Sequence, residues 1–245
     1  DEMELNQQFF HKDIYTDDFK DSFFSNSAVK LSNLFTENFC RETYDYIINN
    51  EIEIINEFRN DKRGLVTELI SGKTYIKYFD KPLNCNFKLF QRFINSNVFE
   101  ISKILLGEAV YLQAFEIHSR CANGTPIPPH QDNAYFGLNS GKSLTFYISL
   151  NKQYPDYGGL QYFKIPVGDT LGHKSSSQPG FSLTVEDPEN YKKLNIYSPT
   201  YTPGDCTIHH STSIHYADFV PPNADRVIVV RLSIHALDDY IMQTA

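Results

Sequence analysis

The stretch Gly204-Asp205-Cys206-Thr207-Ile208-His209-His210-Ser211-Thr212-Ser213-Ile214-His215, continued through Pro221-Pro222-Asn223 to Arg226-Val227-Ile228-Val229-Val230-Arg231-Leu232-Ser233-Ile234, carries most of the information in this chain. Its last run has β-branched and aliphatic residues on both faces, the pattern of a strand covered on both sides. Ahead of it, residues 204–209 form a second short strand candidate, followed by a turn-rich segment ending in a histidine. Similar runs occur at 109–118, 143–150 and 159–165, each bounded by Gly, Pro, Asn or Asp. Upstream the texture is helical. Thr36 is an N-cap for a helix over about 36–50, with Phe39, Thr43, Tyr46 and Ile47 along one stripe. A second helix is expected over 98–106, stopped by Gly107. Two early helices followed by many short strands predict a mainly β fold with flanking helices, a barrel or sandwich.

The 245 residues divide by this reading into an N-terminal arm at 1–28, ordered or loose, and a single domain over 29–245. Between Gly168 and Pro203 the strand signal fades, and Ser175-Ser176-Ser177, Gln178-Pro179-Gly180 and Asp187-Pro188 take over. That segment reads either as a lid or as a solvated insertion.

Bulk properties remove several function classes. Hydrophobic residues make up 41% and charged residues 21%, ordinary for a globular protein, and nothing approaches the ~18 apolar residues of a membrane span. The start lacks a signal-peptide layout, so a cytoplasmic location is expected. A net charge of −8 without a Lys/Arg cluster argues against a nucleic-acid partner. The cysteines, Cys40, Cys85, Cys121 and Cys206, form no CxxC pair and read as reduced, mostly buried thiols. Sixteen Tyr and nineteen Phe without Trp suit a β-rich core better than a stacking surface.

Among the histidines, His130-Gln131-Asp132 stands out, in a segment stiffened by Pro126, Pro128 and Pro129. In an extended chain residues two apart point to one side, so an imidazole and a carboxylate can reach one ion. A third ligand would come from His209, His210 or His215. Two His and one carboxylate on one face of an ion is the arrangement of non-haem Fe(II) oxygenases. Eleven residues after His215 comes Arg226, which shares a strand face with Ile228, Val230, Leu232 and Ile234 and so points into the apolar interior. A buried guanidinium requires an anion. The carboxylate of a bound 2-oxo diacid would serve, and so would a structural Asp or Glu. Arg231 is the rival; it lies on the opposite face with Ser233 and His235. His11, His118, His173 and His235 read as surface or hydrogen-bonded residues.

Pro129-His130-Gln131-Asp132 resembles the Pro/Trp-His-Gln-Asp motif of the phytanoyl-CoA dioxygenase-like family, and further blocks follow in that family's order. They are Leu105-Leu106-Gly107, Leu144-Thr145-Phe146-Tyr147, Gly158-Gly159-Leu160 with Ile165-Pro166-Val167-Gly168, and Gly204-Asp205…His209-His210…His215…Asn223…Arg226. The likeness spans roughly residues 30–235. It implies a double-stranded β-helix (jelly-roll, cupin-like) core and an oxidoreductase, a dioxygenase using iron and 2-oxoglutarate. His130, Asp132 and His215 would then be the catalytic iron ligands, with His215 chosen by its spacing to Arg226. Arg226 would hold the distal carboxylate of 2-oxoglutarate, and Tyr147, Gln113 and Arg120 would contact cosubstrate or substrate. Departures are Val167-Gly168-Asp169 in place of Gly-Ser-His, and Ala217 where a Ser is common. The implied reaction is hydroxylation of a small molecule with O2, releasing succinate and CO2, with desaturation or cyclisation by the same ligands as alternatives. A non-catalytic jelly-roll binding protein is the competing class. A nucleic-acid demethylase of this fold is disfavoured, because Arg226 and Arg231 lie on opposite strand faces.

Overall fold

The computed structural model describes residues 8–239 except 108, 179 and 192, so part of the expected arm (1–7) and two positions of the expected lid lie outside the described residues. The rest of the arm is built into the domain. It contributes β1 (Gln8–Phe9) and α1 (Asp17–Asn26) and leads into β2 (Ala28–Leu31). Thr16 caps α1 by accepting from the Phe19 amide, and Phe19 and Phe23 are fully buried. α2 (Glu37–Phe58) starts at the Thr36 cap as expected but runs two turns further than 36–50. The continuation is amphipathic, with Glu51 and Ile54 buried beside the earlier stripe.

Next come β3 (Leu65–Ile70), β4 (Lys73–Phe79), the single turns α3 (Pro82–Cys85) and α4 (Phe87–Phe90), and α5 (Ser96–Leu106). Asn95 caps α5 and Gly107, at φ 77°, ends it. The β3–β4 hairpin was not legible as strands; its pattern is half-exposed and rich in Lys, Thr and Glu.

The body follows as β5 (Val110–Arg120), β6 (Ile127–His130), α6 (Asn133–Phe136), β7 (Ser143–Ser149), β8 (Gln161–Phe163), β9 (His173–Ser175), β10 (Leu183–Val185), α7 (Pro188–Tyr191), β11 (Ile196–Tyr197), β12 (Cys206–His210), β13 (His215–Ala217) and β14 (Val227–Ala236). An eight-stranded sheet has the order β1-β2-β12-β7-β14-β5-β4-β3, and a four-stranded sheet has the order β11-β8-β13-β6. From β5 onward the chain crosses back and forth between these two sheets, which makes the body a double-stranded β-helix, the jelly roll expected. β9 and β10 form a separate hairpin. The 168–203 segment is therefore a hairpin, a helical turn and an edge strand rather than a featureless loop.

The central strands β7, β12 and β14 of the large sheet are buried on both faces, and the two faces do different work. One packs Phe146, Ile148, Ile208, Ile228, Val230, Leu232 and Ile234 against α2, α5 and their neighbours. The other turns Tyr147, Val227 and Val229 toward the small sheet, where Tyr162, Leu160 and Ala217 close the second core. Cys40, Cys121 and Cys206 are buried, Cys85 is half-buried, and all four are free thiols. Among the described residues no helix is long and apolar enough to cross a membrane.

Candidate metal centre

β6 and β13 are antiparallel neighbours in the small sheet, with His130 directly opposite His215. Opposed residues on one face bring their side chains together, and the two imidazole rings sit 4.3 Å apart, centroid to centroid. Asp132 joins them by a turn rather than by strand alternation. β6 ends at His130, and Asp132 has αR backbone angles (φ −61°, ψ −32°) as the residue leading into α6. The carboxylate thus reaches the imidazoles because the chain turns back, a different geometry from the extended one expected.

The donor atoms fit an ion. His130 Nε2 and His215 Nε2 lie 3.4 and 3.3 Å from Asp132 Oδ1. Ligands about 2.1 Å from an ion and at right angles to one another are about 3.0 Å apart. The three residues are buried, and their ligand atoms lie within 4.8 Å of one another. Each histidine offers the correct nitrogen. His130 Nδ1–H donates to the Pro128 carbonyl (2.8 Å) and His215 Nδ1–H to that of Ser213 (3.1 Å), leaving both Nε2 lone pairs on the site. Burial, reinforced by the neighbouring imidazoles, lowers the pKa of both, so they are neutral as ligands must be. Burial alone would raise the Asp132 carboxyl. The positive charge of Arg231 and the hydrogen bond from His209 outweigh it and hold the group well below the usual carboxylate range.

The second carboxylate oxygen faces the large sheet. Asp132 Oδ2 accepts from Thr145 Oγ1 (2.8 Å), His209 Nε2 (2.9 Å) and Arg231 (3.1 Å). Thr145 and His209 are cross-strand partners on β7 and β12, so the carboxylate spans from one sheet to the other. His210, the other rival ligand, points away from the site and hydrogen-bonds Thr212.

The two ligand histidines, His130 and His215, lie on the wall of a cavity between the sheets. Arg120, Tyr147, Val229 and Arg231 line it from the large sheet, Leu160 from the small one, and Phe181 from the β9–β10 hairpin. Thr184 Oγ1 donates to the Pro129 carbonyl and the Tyr135 hydroxyl accepts from the Leu183 amide, fastening that hairpin beside β6. Lys77 also reaches the cavity. It is the extra residue of a bulge in β4, where the register jumps from Val66↔Tyr78 to Thr67↔Ile76, and such bulges redirect side chains.

Of the remaining expected residues, Tyr147 and Arg120 are at the cavity and two others are not. Arg226 is absent from it. Its guanidinium pairs with the buried carboxylate of Glu51 on α2 and also donates to Ser119 Oγ and the Ile76 carbonyl. Strand parity grouped Arg226 correctly with Ile228 and Val230. That face, however, looks at the helices, while Val227, Val229 and Arg231 look at the cavity. Parity says which residues share a face but not which of two buried faces is hollow. Gln113 is exposed, at the bulge where the β5–β14 register passes from Ser233↔Ala114 to Ile234↔Leu112.

Arg120, unlike Arg226, lines the cavity. It stands opposite Val227 on the neighbouring strand, is 6% exposed, and donates to the carbonyls of Asp218 (3.1 Å) and Gly158. Among the described residues it makes no salt bridge with a carboxylate. Gly158 is required at this turn by its packing against Val220, since its φ is +86° and a Cβ there would sit 2.6 Å from a Val220 methyl carbon. Arg231, by contrast, is matched by Asp132 and by Glu116 at 3.5 Å. Sequence reasoning missed Lys77, Thr145, Phe181 and Tyr162 as parts of the site. Only Thr145 carried a signal, as the second residue of the Leu144-Thr145 strand motif.

Fold and site together define a jelly roll with a two-histidine, one-carboxylate metal-binding face at the edge of its inner cavity. No family model and no curated protein matches the chain. Among solved structures it resembles the iron-bound EctD from S. alaskensis (16% identity, TM-score 0.72), covering 94% of this chain and 80% of that one. It also resembles two proteins of nogalamycin biosynthesis, both described as non-heme alpha-ketoglutarate dependent. The carbocyclase SnoK shares 14% identity at a TM-score of 0.69, with 92% and 86% of the two chains covered. The epimerase SnoN shares 14% at 0.66, with 91% and 84% covered.

Proposed function

We propose that this chain is an Fe(II)- and 2-oxoglutarate-dependent oxygenase that hydroxylates a small molecule, with His130, Asp132 and His215 as iron ligands. The observation carrying this reading is the facial array of two Nε2 atoms around Asp132 Oδ1, opening onto a cavity that also holds a buried arginine with no carboxylate in salt-bridge contact among the described residues. When bound, iron and 2-oxoglutarate would supply O2 activation coupled to oxidative decarboxylation, yielding succinate and CO2.

The chain's own residues explain how such a pair would be held. Three protein ligands on one face leave the opposite positions to cosubstrate and O2. Arg120 fits the distal carboxylate of 2-oxoglutarate, because burying a guanidinium without an anion is costly and a planar fork suits a carboxylate. Tyr147, whose hydroxyl donates to Gln153 Oε1 at 2.8 Å, borders the same end of the cavity. The β9–β10 hairpin with Phe181 would act as a lid that keeps bulk water from the metal. Lys77 and His118 line the part of the cavity left for substrate. Asp132 fills the third ligand position with a carboxylate, which favours oxygen transfer over halide transfer. The carbocyclase and epimerase among the structural neighbours keep cyclisation or another hydrogen-abstraction outcome as the second reading.

The test is anaerobic addition of Fe(II) and 2-oxoglutarate, followed by absorption spectroscopy. A weak visible charge-transfer band is expected in wild type, absent in His130→Ala and needing much more 2-oxoglutarate in Arg120→Met. No band from folded, iron-supplemented protein would leave a jelly-roll binding protein as the reading.

A further inference from the structure

We infer that His209 is a positioning residue for the iron ligand Asp132, held in place by a buried chain of hydroxyl groups from Tyr201, Thr207 and Tyr162. The inference rests on the metal-binding reading above and adds a residue that acts through a ligand without being one. His209 is fully buried, its ring 4.2 Å from that of His215. By distance alone it competes for the metal. The direction of its contacts decides otherwise. Its Nε2 meets Asp132 Oδ2, whereas both ligand imidazoles meet Oδ1. The carboxylate therefore stands between His209 and the place an ion would occupy.

Proton positions follow from what each atom can do. Asp132 is ionised and only accepts, so His209 Nε2 carries hydrogen and Nδ1 must accept. Nδ1 lies 2.8 Å from the Tyr162 hydroxyl, which donates to it. The Tyr162 oxygen then accepts from Thr207 Oγ1 at 2.8 Å, and Thr207 accepts from the Tyr201 hydroxyl at 3.0 Å. Every donor along this chain points toward Asp132, and all its members are buried. The chain fixes one tautomer and one ring orientation of His209. With Thr145 and Arg231 it occupies Oδ2 fully, which leaves Oδ1 alone to the metal and makes Asp132 monodentate.

The experiment is anaerobic calorimetric titration of the whole protein with Mn(II), paired with pulsed EPR of the loaded protein to count coordinated imidazoles. His209→Phe is expected to weaken Mn(II) binding 10- to 100-fold, the usual effect of losing such a partner. His209→Gln, which keeps an N–H at about the reach of Nε2, is expected to recover most of the loss. Tyr162→Phe, which removes the orienting donor and changes little volume, is expected to weaken binding by a smaller factor and serves if His209→Phe does not fold. Wild type and His209→Gln should both show two imidazoles. Unchanged affinity in His209→Phe, or in Tyr162→Phe where the first variant does not fold, overturns the assignment. So do three coordinated imidazoles in wild type, which would make His209 a ligand. Failure of wild type to bind Mn(II) would instead count against the metal site itself.

Discussion

Replacing Arg226 with methionine should cost folding stability and leave cosubstrate binding intact, the reverse of what its spacing from His215 suggests. The Arg226 and Glu51 side chains are 10% and 5% exposed, so their ion pair ties α2 to the start of β14 out of water. Removing one partner strands the other charge in a low-dielectric interior, which costs about 3–5 kcal/mol. For a chain of this size that is a drop in Tm of roughly 6–20 °C. Glu51 also accepts from the Ile76 amide at 3.0 Å. The double variant Arg226→Met/Glu51→Met removes the stranded charge but orphans that N–H, a residual cost of about 1–3 kcal/mol. It should therefore be more stable than the single variant and less stable than wild type. Arg120→Met should behave in the opposite way. A lost charge-assisted contact to the distal carboxylate is worth about 1.5–3 kcal/mol, or roughly 10- to 150-fold in the Kd for 2-oxoglutarate. Urea unfolding and anaerobic 2-oxoglutarate titration of the three variants check both halves. The reasoning fails if Arg226→Met folds as well as wild type yet binds 2-oxoglutarate poorly, or if the double variant is no more stable than the single one.

Acid sensitivity should trace in part to His210, whose pKa burial pulls down to about 4. The unfolded chain takes up that proton below about pH 6.5 and the folded chain does not. Its contribution is therefore intact above pH 6.5 and is lost as pH falls toward 4, by up to about 3 kcal/mol. His210→Gln should flatten the pH–stability profile between pH 6.5 and 4 in urea unfolding; an unchanged slope would remove His210 from the account. Gly204→Ala should destabilise by at least about 2 kcal/mol, because its φ is +97° and a Cβ would sit 2.1 Å from the Phe35 carbonyl oxygen. A thermal midpoint equal to wild type would show that this turn can relax. Phe181→Ala should raise succinate formation in the absence of substrate, if the β9–β10 hairpin excludes water as proposed; unchanged uncoupled turnover would count against a lid.

The local features of this fold were legible because they depend on local physics. Thr36 and Gly107 mark helix ends through the backbone groups they satisfy or the φ they permit. The β-branched runs at 143–149 and 227–236 declare strands covered on both sides, and His130 and Asp132 were readable as a ligand pair, while His215 was singled out from His209 and His210 only by the family resemblance. What needed the tertiary structure was everything set by pairing between distant strands. Register places His130 opposite His215 and sets Thr145 and His209 side by side on β7 and β12, so that both reach Asp132. Register also puts Arg120, not Arg226, beside the cavity. A chain buried on both faces has two apolar sides that look alike in sequence. Only the packing of helices on one and a second sheet on the other decides which side holds the pocket. The anion that satisfies Arg226 could not be read for the same reason: Glu51 lies 175 residues away on a helix face, and nothing local to either residue records the other.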